Sequence, residues 1–196
     1  MRVMNRLPRC SWARSFSQGP AAARPVTLDY FKWFLPVQTR FKDNDSYGHM
    51  NNAVYHAISD SLVNVFLTRQ AGCSLDNSDE TARFMVKTLC TYYQPISFPN
   101  VYLGGLAITK LGQSSVDYEM GLFALNSDQF HTQNFNLVHG NFLADLGHVD
   151  LDEKSRCLGQ FTHVFVDPKR GFRPTPIPSP VKVILQKLCT STVVPP

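Results

Sequence analysis

A short polar segment carries the side chains of this 196-residue chain that are best suited to chemistry. It runs from Asp43 to Asn52 and contains two carboxylates, one imidazole and three side-chain amides. It joins a predicted strand, residues 37–41, to a predicted helix, residues 52–70. The first N–H groups of a helix have no partner within the helix, and the helix dipole favours negative charge there. The segment could therefore stabilise an anion, or Asp45, Asn51 and Asn52 could serve only as turn and cap residues.

Hydrophobic periodicity predicts the elements that position this segment. After Asn52, apolar residues recur at three- and four-residue steps, which is typical of one buried helix face: Val54, Ile58, Leu62, Val65 and Phe66, widened by Ala53, Ala57 and Val63. Asn51 or Asn52 can cap the helix start. Gly72 suits the left-handed backbone that ends a helix.

The remaining elements are predicted to be mainly strands. Residues 37–41 alternate apolar and polar side chains, which indicates a half-buried strand. Residues 83–93, 101–111, 115–125 and 160–167 are rich in β-branched and aromatic residues. A short helix is expected at 181–188, with Ser179 as its cap and Pro180 in the first helical position.

The motif that starts at Asp45 resembles a known family. It reads Asp-x-Tyr-Gly-His-Met-Asn-Asn-Ala-x-Tyr, and it is similar to the signature of hotdog-fold acyl-CoA thioesterases of the 4-hydroxybenzoyl-CoA thioesterase-like group. The resemblance covers roughly residues 36–125 and 160–188. It implies an α+β hotdog fold, in which an antiparallel sheet of about five strands wraps around one long central helix. It also implies an acyl-CoA substrate, no cofactor, and a homodimer or homotetramer whose sheets join side by side.

The resemblance assigns candidate roles to individual residues. Asp45 matches the family's catalytic carboxylate, which could activate water or attack the thioester carbonyl directly. The backbone N–H near Asn52 matches the group that polarises the thioester oxygen. His49 could orient Asp45, assist proton transfer or pack at the turn. The expected substrate-binding residues are Tyr47, Gly48, Tyr55, Ser114 and Ser115. Tyr55 could form the pocket wall or belong to the core, and the two serines could instead be turn residues that bond their own backbone.

Two departures from the family pattern keep other functions open. Asn52 stands where some relatives carry a catalytic His, and an amide cannot act as a base. The last two family strands usually meet in a short hairpin, whereas residues 126–159 intervene here without a clear period. This insertion could be a lid, an added hairpin or a segment that weakens the sheet. The alternative to a thioesterase is a non-catalytic hotdog module that binds acyl-CoA or a protein; a hotdog enoyl-CoA hydratase ranks last.

The composition of the N-terminal segment predicts mitochondrial targeting. Residues 1–24 contain five arginines and no acidic residue, as in a transit peptide, so the mitochondrial matrix is the expected location. The alternative for these residues is a disordered basic leader. Without them the net charge changes from +4 to −1, which gives no support for nucleic-acid binding. The predicted organisation is a leader at 1–24, a hotdog domain at 25–190 containing the insertion at 126–159, and a frayed tail at 191–196.

Metal binding and membrane insertion are not expected. The five cysteines contain no Cys-x-x-Cys pair, and the histidines lack the spacing of a helical metal site. No apolar run approaches the roughly 20 residues needed to span a bilayer.

Overall fold

A computed structural model describes residues 25–74, 81–125, 135–147, 149, 151–152 and 154–190. The predicted leader, residues 1–24, and the predicted frayed tail, residues 191–196, lie outside the described residues. So does part of the predicted insertion, including residues 126–134.

The described chain forms one antiparallel sheet with a long helix packed on it. The strands are β1 (Trp33–Gln38), β2 (Ala82–Tyr92), β3 (Val101–Leu111), β4 (Ser115–Ala124), β5 (Asn141–Phe142), β6 (Cys157–Asp167) and β7 (Arg173–Pro174); the helices are α1 (Asn52–Arg69) and α2 (Ser179–Gln186). The sheet order is β2-β6-β4-β3-β1-β5, and β7 pairs with β6. Five strands are long and two contain only two residues, so the expected sheet of about five strands around one helix is confirmed.

Helix α1 forms where the periodicity predicts it. Asn51 is the N-cap, and its side-chain oxygen accepts a hydrogen bond from the Ala53 N–H at 2.9 Å. Gly72 has φ 68°, in the left-handed region. Ile58, Leu62 and Phe66 are buried against the sheet, together with Tyr55, Val63 and Leu67. Ala53 and Ala57 are exposed, so the buried face is narrower on that side than predicted.

The first strand lies earlier in the chain than predicted. The sequence places it at residues 37–41, but β1 spans Trp33–Gln38, and Phe41–Asp43 form a turn of 3₁₀ helix. Alternation of polar and apolar residues continues through Phe41, but the chain bends there because Asp43 folds back onto Arg40. Helix α2 also starts earlier: Ser179 is its first residue and does not cap it, because Pro178 occupies the N-cap position.

Glycines let both faces of the sheet pack closely. A Cβ at Gly104 would lie 2.8 Å from the Leu62 side chain of α1. On the other face, a Cβ at Gly105 or Gly121 would lie 2.8 or 2.7 Å from the Phe31 ring. Gly105 and Gly121 are cross-strand partners in β3 and β4. The Phe31 ring therefore fills the space left by a pair of glycines, and the sheet has a hydrophobic cluster on each face.

The described part of the insertion packs on the back face, away from α1, and along one edge. Its Leu146 is buried in the back-face cluster that contains Phe31. β5 pairs with Trp33 and Phe34 of β1. The carbonyl of His139 accepts hydrogen bonds from the Trp33 indole and from Gln70, at the C-terminal end of α1. The described residues of the insertion therefore add a two-residue strand to the edge of the sheet at β1.

Gly140 tests whether this extension depends on close contact with Trp33. A Cβ at Gly140 would lie 2.2 Å from the Trp33 ring, and its φ is 67°. We expect Gly140→Ala to lower the free energy of unfolding by about 1–3 kcal/mol beyond the cost of the backbone conformation. Urea unfolding followed by circular dichroism measures the loss.

Gly147→Ala is the matched control. Gly147 has a similar φ of 63°, but a Cβ there would meet no atom within 4 Å. Gly147→Ala therefore imposes the cost of a side chain in the left-handed backbone conformation, but it creates no clash. Equal losses for the two variants would contradict a close contact with Trp33.

Candidate active site

The turn before α1 is held by an ion pair whose carboxylate, that of Asp43, is buried. The Asp43 carboxylate accepts hydrogen bonds from the Arg40 backbone N–H at 2.7 Å and from its guanidinium Nε at 3.0 Å. A second guanidinium nitrogen lies 2.8 Å from the Asp43 carboxylate; the Asp43 side chain is 4% exposed and that of Arg40 is 60% exposed. Burial alone would raise the pKa of Asp43, but these hydrogen bonds outweigh it and hold the pKa below its usual range. Asp43 therefore has a structural role.

Residues 44–50 form a small loop that is tied to a neighbouring segment. Asn44 and Met50 form an isolated antiparallel bridge, and Gly48 adopts the left-handed conformation with φ 78°. The Met50 N–H donates to the Ile96 carbonyl at 2.7 Å. The Asn44 side-chain oxygen accepts from the Phe98 N–H at 3.1 Å. These contacts attach the loop to the segment that contains Ile96 and Phe98. Asn44 was not predicted from the sequence to make such a contact.

The Asp45 carboxylate is fixed through one oxygen. Its Oδ1 accepts hydrogen bonds from the backbone N–H groups of Tyr47, at 2.8 Å, and His49, at 3.2 Å. Among the described residues, none donates to Oδ2. The side chain is half-exposed. One oxygen therefore orients the carboxylate, and the other can take a proton or approach an electrophile.

The structure brings together the predicted residues of the turn. Asp45, Tyr47, Gly48 and His49 share one loop, and Asn52 begins α1 just beyond it. His49 meets Asp45 through its backbone, whereas its exposed imidazole makes no described hydrogen bond with it. The Tyr47 side chain is 84% exposed. Within the described part of the chain, the Asn52 N–H has no acceptor, which leaves it available to an incoming oxygen.

Tyr55 is a core residue beside this helix start. It is 4% exposed, and its ring packs edge-on against Tyr92 with centroids 4.8 Å apart. Burial raises the pKa of its phenol, so the group stays protonated. Cys90 and Cys157 lie nearby, and their mutual hydrogen bond lowers the pKa of Cys90. The sequence did not predict this group, which assembles from α1 and two strands far apart in the chain.

Ser114 and Ser115 lie at the opposite end of the sheet. β1 ends at Gln38, which pairs with Val101, whereas Ser115 follows the far end of β3 at Leu111. The 11 residues of β3 span roughly 33 Å at about 3.3 Å per residue. Within one chain these serines are therefore distant from Asp45, and their binding role stays a prediction that requires a second chain.

No metal site or membrane-spanning helix is found in the described ranges. No group of three or more His, Cys, Asp or Glu side chains there could hold a metal ion. None of the helices in those ranges combines the length and hydropathy needed to cross a bilayer.

Asp43 allows a pH-dependent test of the loop. Because its pKa is lowered in the folded protein, the ion pair stabilises the fold above the unfolded-state pKa of about 3.9. That stabilisation is lost as pH falls through the folded-state pKa. Asp43→Asn should therefore lower the free energy of unfolding at pH 7 by about 1–3 kcal/mol, and the difference from wild type should shrink as pH falls below about 4.

Denaturant titrations at several pH values measure this difference. Asp29→Asn is the control, because Asp29 is an exposed acid outside the loop and should change stability little at any pH. A loss for Asp43→Asn that is independent of pH would contradict the ion-pair account.

Comparison with known proteins shows which family this chain belongs to. The family model described as "Thioesterase-like superfamily" matches residues 39–188. The crystal structure of the PA5185 protein from Pseudomonas aeruginosa is similar, with 30% identity, 86% of this chain and 99% of that chain covered, and a TM-score of 0.69. A comparison with curated protein sequences gave no significant match.

Two more distant structures share the fold. One is a 1,4-dihydroxy-2-naphthoyl-CoA thioesterase from Synechocystis, with 14% identity, 80% and 97% coverage and a TM-score of 0.61. The other is a Thermus thermophilus thioesterase complexed with coenzyme A and Zn, with 21% identity, 80% and 98% coverage and a TM-score of 0.54. The chain therefore belongs to the thioesterase-like superfamily, a family of thioester hydrolases with the hotdog fold.

Proposed function

We propose that the protein hydrolyses an acyl-CoA thioester to a carboxylic acid and free CoA, with Asp45 as the catalytic carboxylate. The observation that carries this proposal is the Asp45 side chain itself. Two backbone N–H groups hold Oδ1, and within the described residues Oδ2 is free. The carboxylate lies just before α1, in a chain that belongs to a thioesterase-like family.

The proposed reaction uses both the carboxylate and the helix start. In one route Asp45 takes a proton from water as the water attacks the thioester carbonyl. In the other, Oδ2 attacks the carbonyl, CoA leaves as its thiolate, and water then hydrolyses the mixed anhydride. In both, the carbonyl oxygen gains negative charge, which the free N–H of Asn52 and the α1 dipole would stabilise.

Asp45→Asn tests the proposal. The amide keeps the size of the side chain but is neither a useful base nor a nucleophile, so kcat for thiol release should fall by about 10²–10⁴-fold. The assay follows free thiol from short, medium, long and aromatic acyl-CoAs. Circular dichroism and thermal unfolding check that the variant is folded.

Asp29→Asn is the control, because this exposed acid lies outside the site. Thiol release that is unchanged in Asp45→Asn would exclude Asp45 as the catalytic group. Binding of acyl-CoA without any thiol release by the wild type would instead indicate a non-catalytic hotdog module. Label in the Asp45 carboxylate after a single turnover in isotopically labelled water would establish nucleophilic attack, because in the other route the oxygen of water enters only the product acid.

We further propose that two chains pair through β2. This strand is at the edge of the sheet, where unpaired N–H and C=O groups can bind another strand. It also exposes Phe84, Val86, Leu89 and Tyr92. Exposed apolar residues along an open edge favour a second copy of the chain rather than water.

Two-fold pairing of β2 would also complete the site. Within one chain, the Tyr92 end of β2 lies at the Asp45 end of the sheet, and the Ala82 end lies near Ser115, because Ala82 pairs with Val166 and Ser115 with Val164. A two-fold axis across β2 reverses the direction of the second sheet. The Ser114–Ser115 turn of the second chain would then lie beside Asp45 of the first, as coenzyme A binding between subunits requires.

Val86→Lys tests this pairing. Val86 is 60% exposed, so a lysine should leave the single chain folded but place like charges at the two-fold interface. We expect light scattering after size-exclusion chromatography to give a dimer for the wild type and a monomer for the variant, with reduced thiol release by the variant.

Val183→Lys is the matched control. Val183 is 58% exposed and lies on α2, away from β2, so this variant should remain a dimer. A wild-type monomer, or a Val86→Lys dimer of unchanged mass, would contradict pairing through β2.

A further inference from the structure

A groove runs between β1 and α1, at the edge of the sheet opposite β2. Its volume is about 270 Å³, and Leu35, Val37, Ile58 and Leu62 supply apolar walls. The described strand β5 pairs with β1 only at Trp33 and Phe34, so the remainder of this edge faces the groove. The groove is separate from the β2 edge, where the second chain is proposed to bind.

Small side chains on α1 keep this groove open. Ala57 and Ser61 both line it, and residues four apart lie above one another on a helix. Leu or Phe at either position would project into the space. Neither residue is needed for the buried face of α1, because Ala57 and Ser61 are exposed.

One end of the groove lies next to the proposed catalytic loop. Arg40 and Asp43 line that end, and Asp43 precedes Asp45 by two residues. The Asp43 carbonyl accepts a hydrogen bond from the Asn51 N–H at 2.8 Å, which ties it to the start of α1. The groove therefore starts close to the place where a thioester would be held, and it continues along the second and third turns of the helix.

The lining favours an uncharged, elongated ligand. Among the described residues, the charged groups that line it are Arg40 and Asp43, and they pair with each other at 2.8 Å. The groove thus offers apolar walls and no unpaired charge among the described residues. A cavity of about 150 Å³ holds one benzene molecule, so a space of about 270 Å³ can hold roughly ten carbon atoms by the same measure.

We propose that this groove binds the distal part of a straight acyl chain, which makes medium- to long-chain acyl-CoA the substrate class. This inference rests on the proposed function and extends it to a stretch of α1 and β1 that the catalytic loop does not use. A butanoyl group is too short to reach the far part of the groove from the helix start, whereas a dodecanoyl group fills it. The wild type should therefore have a higher kcat/KM for dodecanoyl-CoA than for butanoyl-CoA.

Ala57→Phe and Ser61→Phe test the groove from two positions. Each ring would occupy space that the chain needs, and losing contact with a few methylene groups costs at least about tenfold in kcat/KM. We expect both variants to lower the ratio of kcat/KM for dodecanoyl-CoA to that for butanoyl-CoA by about tenfold or more. Val183→Phe, a bulky substitution at an exposed position on α2, is the control and should leave the ratio unchanged.

Binding measurements separate this inference from the proposed hydrolysis. Asp45→Asn should hold intact dodecanoyl-CoA, and isothermal titration calorimetry should show about tenfold weaker binding when Ala57→Phe or Ser61→Phe is added. This result supports the groove even if the wild type releases no thiol. Folded variants whose substrate ratio and dodecanoyl-CoA affinity equal those of their parents would overturn it, as would a wild type that neither hydrolyses nor binds dodecanoyl-CoA.

Discussion

The arrangement of the site depends on one buried carboxylate, that of Asp43. Its side chain binds Arg40, two residues after the end of β1, and its carbonyl accepts a hydrogen bond from the N–H of Asn51, the cap of α1. One residue therefore joins the end of β1 to the start of the central helix. Asp45 lies in the loop that these contacts close. Because the polar groups of Asp43 are satisfied within the protein, its burial is tolerated, and Asp45 can stay half-exposed on a fixed support.

Helix α1 can pack closely on the centre of the sheet because the strand beneath it carries glycine at the contact. Gly104 brings the backbone of β3 close to Leu62, while the adjacent Gly105 receives Phe31 on the other face. Two neighbouring glycines thus serve opposite faces of one strand. Glycine weakens a strand that has no such packing partner, but here the helix and the Phe31 ring fill the missing volume.

Much of this architecture could be predicted from local sequence. The α1 period, its Asn51 cap and Gly72 are short-range signals, and all three appear in the structure. The position of β1 could not be predicted so well. Pro36 lies inside this strand, as an outer-edge position permits, and alternation alone cannot show where Asp43 turns the chain back onto Arg40.

The site was only partly predictable for a similar reason. The residues of the Asp45 loop are contiguous, so the motif contained them all. Asn44 contacts Phe98, and Tyr55 contacts Tyr92; these partners lie far along the chain, where no local pattern can predict the contact. The position of Ser114 also follows from strand length and direction. The sequence of the insertion shows no hydrophobic period because its described residues pack against several different surfaces.

The two edges of the sheet differ in a way that bears on assembly. At one edge, β5 covers the start of β1, and Pro36 removes a backbone donor from what remains. At the other edge, β2 is uncovered along the described sheet. A sheet with two open edges can add copies without limit and form a filament, whereas a sheet that extends through a single edge closes after two copies. If two chains pair through β2 as proposed, the short extension after β4 would limit the sheet to two copies, because it covers the start of the opposite edge at Trp33 and Phe34.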